Sequence, residues 1–513
     1  MEGGALQTGS LRGKIVEKMK VGAYKMMDQN KTPLLDAIGE FIHTQPAYFR
    51  IPGHRLERGI SKRWTKEVGE QIFAYDVTET PYTDDLHQAQ GAIKEAQQLL
   101  SELYHTDSSY FLVNGSTCGN EAMILAGAME GQEIMIARNA HKSAMMGLII
   151  SGARPVYVAP KVLNDWGIQG GITPEDVDAC FQEHPDCKAL FMVSPSYYGI
   201  TSDLRRIAEV CHSHGAMLLV DEAHGGHVYF HEELPHGAIE QGADMCVQSM
   251  HKVTGALTQS SVLHVRSKLA DLDRVNSALH IVQSTSPNYL LMTSLDCARY
   301  ELALHGRQMM QDALKLADYA REEIRKIQGF DCMGTEITGM EGVAGVDRTR
   351  LVITAKKLGF TGFDLEECLF REYQVNMELA DYENVLAIIT YANTSEEIDR
   401  LINACRDLSE KVRNDTCVIS KSWKKKQNPM LNRLPEQIMT PRQAYFAKTM
   451  QIPWEDAVGR IAGEMVAPYP PGIPILYAGE RITREVWEYL EQFRRDGRHM
   501  HGAENGRITV ITE

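Results

Sequence analysis

The feature that most restricts the fold is an alternation, from about Leu86 to Pro287, of helical segments with short apolar runs. The runs are YFLV at 110–113, EIMIA at 133–137, PVYVA at 155–159, ALFMV at 189–193, MLLV at 217–220 and MCVQ at 245–248. Continuous apolar runs suit strands buried on both faces, and helices between them suit crossovers joining parallel neighbours. The expected class is α/β, with a mostly parallel sheet wrapped by helices. A long helical segment from Ser294 to about Ile327, followed by LVITA at 351–355 and LAIITYA at 386–392, predicts a smaller α/β domain after a boundary near residue 291.

The chain thus divides into an N-terminal arm over 1–30, helical in pattern over 11–27, and a major domain over 31–290 that opens with the segment 31–85. A small α/β domain over 291–420 and a C-terminal α+β domain over 421–513 follow. The run KSWKKKQNPMLNRLPEQ at 421–437 reads as a solvated linker opening that last unit.

Charge narrows the partners. The 53 Lys+Arg against 68 Asp+Glu leave a net charge of -15, which argues against nucleic acid or an anionic membrane as the main partner and is compatible with a cationic small molecule. The ten cysteines form no C-x-x-C pair, so neither a zinc site nor a disulfide framework is indicated. No stretch reaches the ~18 uninterrupted apolar residues of a membrane span, and MEGGALQTGSLRGKIVEKMK lacks the apolar centre of a signal peptide. The expected location is the cytoplasm.

Chemistry concentrates at the ends of the apolar runs. ADMCVQSMHK delivers Lys252 to the carboxyl end of a strand, where open α/β sheets place their ligands. A lysine there can form a Schiff base with a carbonyl, and the lysine of pyridoxal-phosphate (PLP) proteins is accompanied by a carboxylate that keeps the pyridine nitrogen protonated. Asp221, closing MLLV, is the candidate. In FLVNGSTCGNEAM a strand runs through Gly115, Ser116, Thr117 and Gly119 into a helix whose free backbone N–H groups and hydroxyls could anchor a phosphate. His141, after EIMIA, falls at the same sheet edge and could lie flat against a cofactor ring. His224 and His227 offer a metal pair, but without a third ligand spacing. The string DEAH at 221–224 suggests a helicase only until the missing phosphate-binding G-x-x-x-x-G-K-[ST] loop is noted.

Together these segments resemble the Gram-positive type of ornithine/lysine/arginine decarboxylase, of the aspartate-aminotransferase fold (PLP fold type I). The resemblance runs from about Lys31 to the C-terminus. It rests on FRIPGHRLERG at 49–59, DVTETPYTDDLH at 76–87, the GST-x-GN turn, HKS at 141–143, DEAHGGH at 221–227, SMHKVTGALTQSS at 249–261, STSPNYLLMTSLDCAR at 284–299 and GEMVAPYPPGIPILYAGE at 463–480. Two departures stand out: PGHR where the family has PGHK, and Ala478 where it has proline.

The resemblance implies pyridoxal 5′-phosphate bound to Lys252, Asp221 paired with the ring nitrogen, His141 stacked on the ring and His224 beside them. It implies that Ser116, Thr117, Ser249 and His251 hold the phosphate and that Thr285 reaches it from a neighbouring subunit, so a homodimer or larger homo-oligomer is expected. Glu464 is the candidate for reading the basic end of the substrate, on charge complementarity alone. The implied reaction is decarboxylation of a basic L-amino acid, with arginine to agmatine, a step toward polyamines, as first choice, lysine to cadaverine second and ornithine third. The rivals are transamination on the same fold and a cofactor-binding scaffold without activity.

Overall fold

The computed structural model describes residues 27–414, 434–468 and 473–512. The arm expected over 1–30 lies outside the described residues but for its last four, as does the linker expected over 421–437 up to residue 433. The first four residues of YPPGIP at 469–474 lie outside them too.

Seven strands form the central sheet: β1 (Ser108–Leu112), β2 (Glu133–Ala137), β3 (Arg154–Val158), β4 (Ala189–Val193), β5 (Met217–Asp221), β6 (Met245–Gln248) and β7 (Ser261–Val265). Their order is β1-β7-β6-β5-β4-β2-β3. Neighbours from β6 to β3 pair in parallel, while β7 runs antiparallel between β1 and β6. The six expected runs are strands to within two residues; β7 was not anticipated.

Alternation along each strand explains why the runs read as uniformly apolar. In β5, Leu219 faces one core together with Ile134, Ile136 and Phe191, against the helices Gly115–Gly127 and Leu272–Val282. Leu218 and Val220 face the other, with Met135, Leu190 and Met192, against Pro174–Glu183 and Leu204–Ser213. Successive side chains point to opposite faces and both faces are covered, so no position needs a polar residue until the strand ends. Chemistry is thereby confined to the strand termini.

The helix Tyr289–Arg325 carries Tyr289, Met292 and Leu295 in a core beside the large sheet and Ala317, Ala320 and Ile324 in the core of a second one. That second sheet, ordered Asp331–Cys332, Arg350–Thr354, Val385–Ile388 and Leu379–Ala380, is antiparallel throughout. In the C-terminal unit Thr449–Pro453 pairs antiparallel with Arg507–Ile511, and the helix Arg484–Arg495 packs with Trp487 stacked on Trp454 at 6.0 Å. Among the described residues no helix is long and apolar enough to cross a membrane.

Candidate active site

A cavity of about 380 Å³ opens at the carboxyl edge of β2, β4, β5 and β6, and Ser116, His141, Asp221, His224 and Lys252 line it. Lys252 stands in the short helix Met250–Val253 just after β6. Its Nζ lies 3.1 Å from His224 Nε2 and 5.5 Å from the centre of the Tyr197 ring. Burial holds the amine below its ordinary pKa, while the charges of Asp221 and Glu378 pull it back up. Burial, and then the Lys252 and Arg350 cations, keep His224 well below the usual histidine range, so a neutral imidazole accepts from the lysine. His227 instead pairs with Asp347 at 3.1 Å, so the two histidines serve different partners.

Asp221, last residue of β5, is 4% exposed. Its Oδ1 accepts from the Ala223 amide at 3.1 Å and its Oδ2 from Asn120 Nδ2 at 2.8 Å. The same Asn120 nitrogen donates to Ser143 Oγ at 2.9 Å, and Ser143 Oγ lies 2.9 Å from His141 Nδ1. One relay therefore orients both the carboxylate and the imidazole that border the cavity. Burial lowers the His141 pKa, against the pull of Asp221, which favours the neutral ring.

The hydroxyl cradle forms where β1, β6 and β7 meet. Ser116 Oγ is 2.6 Å from Ser249 Oγ and donates to Ser261 Oγ at 3.0 Å. Gly115, at φ +71°, turns the chain into a 13-residue helix whose N-cap, Asn114, makes no side-chain cap, which leaves first-turn N–H groups open to an anion. Thr117 and His251 line the same cavity, and His251 Nδ1 donates to the Ser260 carbonyl at 3.0 Å.

The donor set fits a phosphorylated pyridine aldehyde: hydroxyls and helix amides at one end, an oriented carboxylate at another, a flat imidazole and a primary amine between. Two candidates from the sequence lie elsewhere. Thr285 is exposed in the loop before the helix Tyr289–Arg325 and does not line this chain's cavity. Glu464 is half-buried, and its Oε1 accepts from the Thr509 and Ala503 amides at 2.7 and 3.4 Å, so that oxygen is spent inside the C-terminal unit.

Other contributors were not singled out from the sequence. Asn120 and Ser143 stand inside quoted motifs, where a helix start at Gly115 puts Asn120 one turn beyond Ser116. Tyr197, Asp381 and Glu383 carry no local signal. The last two arrive with the small sheet, together with Phe363 and the C-terminal residues Ile475, Tyr489 and Phe493, to wall the cavity. Tyr198 donates to Asp381 at 2.7 Å and Lys356 to Glu383 at 3.1 Å.

A mostly parallel sheet with one reversed strand and a half-buried lysine sharing its cavity with a strand-end aspartate define an α/β protein of the aspartate-aminotransferase type (PLP fold type I). The chain belongs to the ornithine/lysine/arginine decarboxylase family: it matches "Orn/Lys/Arg decarboxylase, major domain" over residues 32–397 and "Orn/Lys/Arg decarboxylase, C-terminal domain" over 424–506. It is 39% identical over 485 residues to a protein of Bacillus subtilis named "Arginine decarboxylase", covering 94% of this chain and 98% of that one. A protein of the same name from Halalkalibacterium halodurans is 39% identical over 489 residues, covering 95% and 98%. Among solved structures, lysine decarboxylase A from Pseudomonas aeruginosa superposes with a TM-score of 0.81 at 21% identity, covering 94% of this chain and 80% of that one. The lysine decarboxylase LdcF of Francisella novicida gives 0.79 at 20% identity, covering 94% and 81%. These two bear on the fold alone.

Proposed function

We propose that the chain decarboxylates L-arginine to agmatine, using pyridoxal 5′-phosphate in the cavity around Lys252. The observation that carries the reading is the convergence in one cavity of Lys252, the Asn120-held Asp221 carboxylate and the Ser116–Ser249 hydroxyls, backed by the buried Ser261. When bound, the cofactor supplies a protonated ring that accepts the electron pair left behind as the carboxyl group departs.

The protein's part is placement. Ser116, Thr117, Ser249 and His251 would bind the phosphate, Asp221 would hold a proton on the ring nitrogen, and His141 would lie against the ring. Burial depresses the Lys252 pKa, which raises the fraction of free amine able to attack a carbonyl and to exchange a proton at the substrate α-carbon. Asp381 and Glu383 border the cavity, but Glu383 is paired with Lys356 and Asp381 accepts from Tyr198, so their charge is largely balanced within the wall. Arginine as substrate is supported by the names of the relatives at 39% identity; lysine, then ornithine, are the alternatives within the family.

Transamination needs an arginine free to grip the substrate α-carboxylate. Arg350, whose charge reaches Lys252, is 1% exposed and is spent on the His224 carbonyl at 3.0 Å, Thr349 Oγ1 at 3.0 Å and Asp347 at 3.6 Å. That commitment favours release of the carboxylate. A homodimer is the proposed working unit, with the exposed Thr285 reaching the partner's phosphate site.

The test is absorbance of the bound cofactor in purified protein, then carbon-dioxide release from arginine, lysine and ornithine in parallel. Release from arginine foremost, with the absorbance band lost in Lys252→Ala, is expected. A band without release from any of the three, or with transfer of the amino group instead, overturns the reading.

A further inference from the structure

Outside the cofactor cradle, a heavily engaged group bordering the cavity is Arg138, the residue after β2 and three before His141. Its guanidinium donates to Glu480 Oε2 and Oε1 at 3.0 and 3.2 Å, to the Pro474 carbonyl at 2.7 Å and to the Ile475 carbonyl at 3.2 Å. It lies 3.9 Å above the Tyr477 ring, and Glu480 Oε2 closes the loop by accepting from the Tyr477 amide at 2.7 Å. Arg138 and Glu480 are each 1% exposed. Arg138, Pro474 and Ile475 all line the cavity.

A fully buried ion pair gains little stability over a well-packed apolar pair, because desolvating both charges offsets their attraction. What it gains is geometry, since a planar fork meeting one carboxylate and two carbonyls admits one arrangement and an ammonium cannot reproduce it. We propose that Arg138 is a positioning residue, fastening the cavity wall of Pro474 and Ile475 to the loop that presents His141. The C-terminal unit thereby sets the shape of the substrate space without contributing a reacting group from this segment. The inference rests on the cavity's being the reaction site.

The test compares Arg138→Lys and the paired replacement Arg138→Met with Glu480→Leu against the wild-type holoenzyme. Thermal melting, cofactor absorbance, kcat and KM are read for each, with amide hydrogen exchange over 473–480. Both proteins are expected to keep the absorbance band, the double variant to melt close to wild type, and both to exchange faster over 473–480. In both, kcat/KM falls about tenfold or more, mostly through KM. Wild-type kcat/KM in the double variant, or full rescue by Arg138→Lys, overturns the proposal. If the double variant fails to fold, Arg138→Lys decides alone. Wild-type protein that releases no carbon dioxide refutes the reaction instead, and the exchange comparison still judges the clamp.

Discussion

Asn120 and Asp221 stand 101 residues apart in the chain and share a 2.8 Å hydrogen bond at the cavity edge. The two protons of Asn120 Nδ2 are divided between Asp221 and Ser143, so this one amide orients the carboxylate and, through Ser143, the His141 imidazole.

Asn120→Ala removes a donor from a buried carboxylate, a loss of about 1–3 kcal/mol. The expected result is a dissociation constant for pyridoxal 5′-phosphate raised about tenfold or more, with the protein still folded. Equilibrium titration of apoprotein followed by absorbance measures it. Unchanged affinity would refute the role given to this relay.

Lys252→Ala takes away an amine that the fold holds below its natural protonation, so it removes no stabilising cation. Melting within a few degrees of wild type, with carbon-dioxide release reduced about a thousandfold or more, is expected. A variant that is both active and stable would show that another amine serves.

The pH dependence of stability carries two opposed contributions from a buried network under the site. Burial pushes the His264 pKa down to about 3. Below the unfolded value of about 6.5 the unfolded chain binds a proton that the folded one refuses, so stability is lost as pH falls, by about 1.4 kcal/mol per unit. Glu222, which accepts from Tyr229, Gln248 and the Ala238 amide, is pushed up to about 7 by burial. Between about 4.5 and 7 the folded state holds the extra proton, and stability is lost as pH rises. Glu222→Gln therefore steepens the rise of melting temperature with pH in this window, and His264→Gln reverses it. Parallel profiles in all three proteins would contradict both assignments.

Shared sites predict complementation. Thr285→Glu places a negative charge where the partner's phosphate is proposed to sit, and Lys252→Ala empties the amine position. Each alone should be nearly inactive. Random two-fold pairing of the two restores one intact site in half the dimers, about a quarter of wild-type activity. No recovery in mixed dimers verified by mass would assign Thr285 to another role.

Legibility in the sequence followed the physics of each element. Strands buried on both faces announce themselves as apolar runs, so EIMIA, ALFMV and MCVQ are strands at the expected residues. Lys252, Asp221, Ser116 and His141 were legible because they stand at the ends of such runs, where a polar residue has only the edge to serve. SVLHV escaped because it opens on a serine, carries His264 as its fourth residue and follows a turn rather than a helix; neighbouring β1 and β6 make it a strand. Glu464 was chosen by charge alone, and backbone amides claim one of its oxygens. Asp381 and Glu383 reach the cavity only through long-range packing of the small sheet, and Arg138 draws its meaning from a carboxylate 342 residues later.

The reversed direction of β7 has a mechanical consequence. Because β7 enters at the edge where β6 leaves, the segment from Ser249 to Ser261 is a tether rooted at both ends in adjacent strands, with Lys252 on its first turn. The serine hydroxyls are tied to one another at 2.6 and 3.0 Å beside the strand ends, whereas the lysine carries its amine at the end of four methylenes, 3.1 Å from His224. Were pyridoxal 5′-phosphate held there as proposed, the amine would be able to leave and return on that stem while the hydroxyls kept the phosphate, so release of a substrate would not require release of the cofactor.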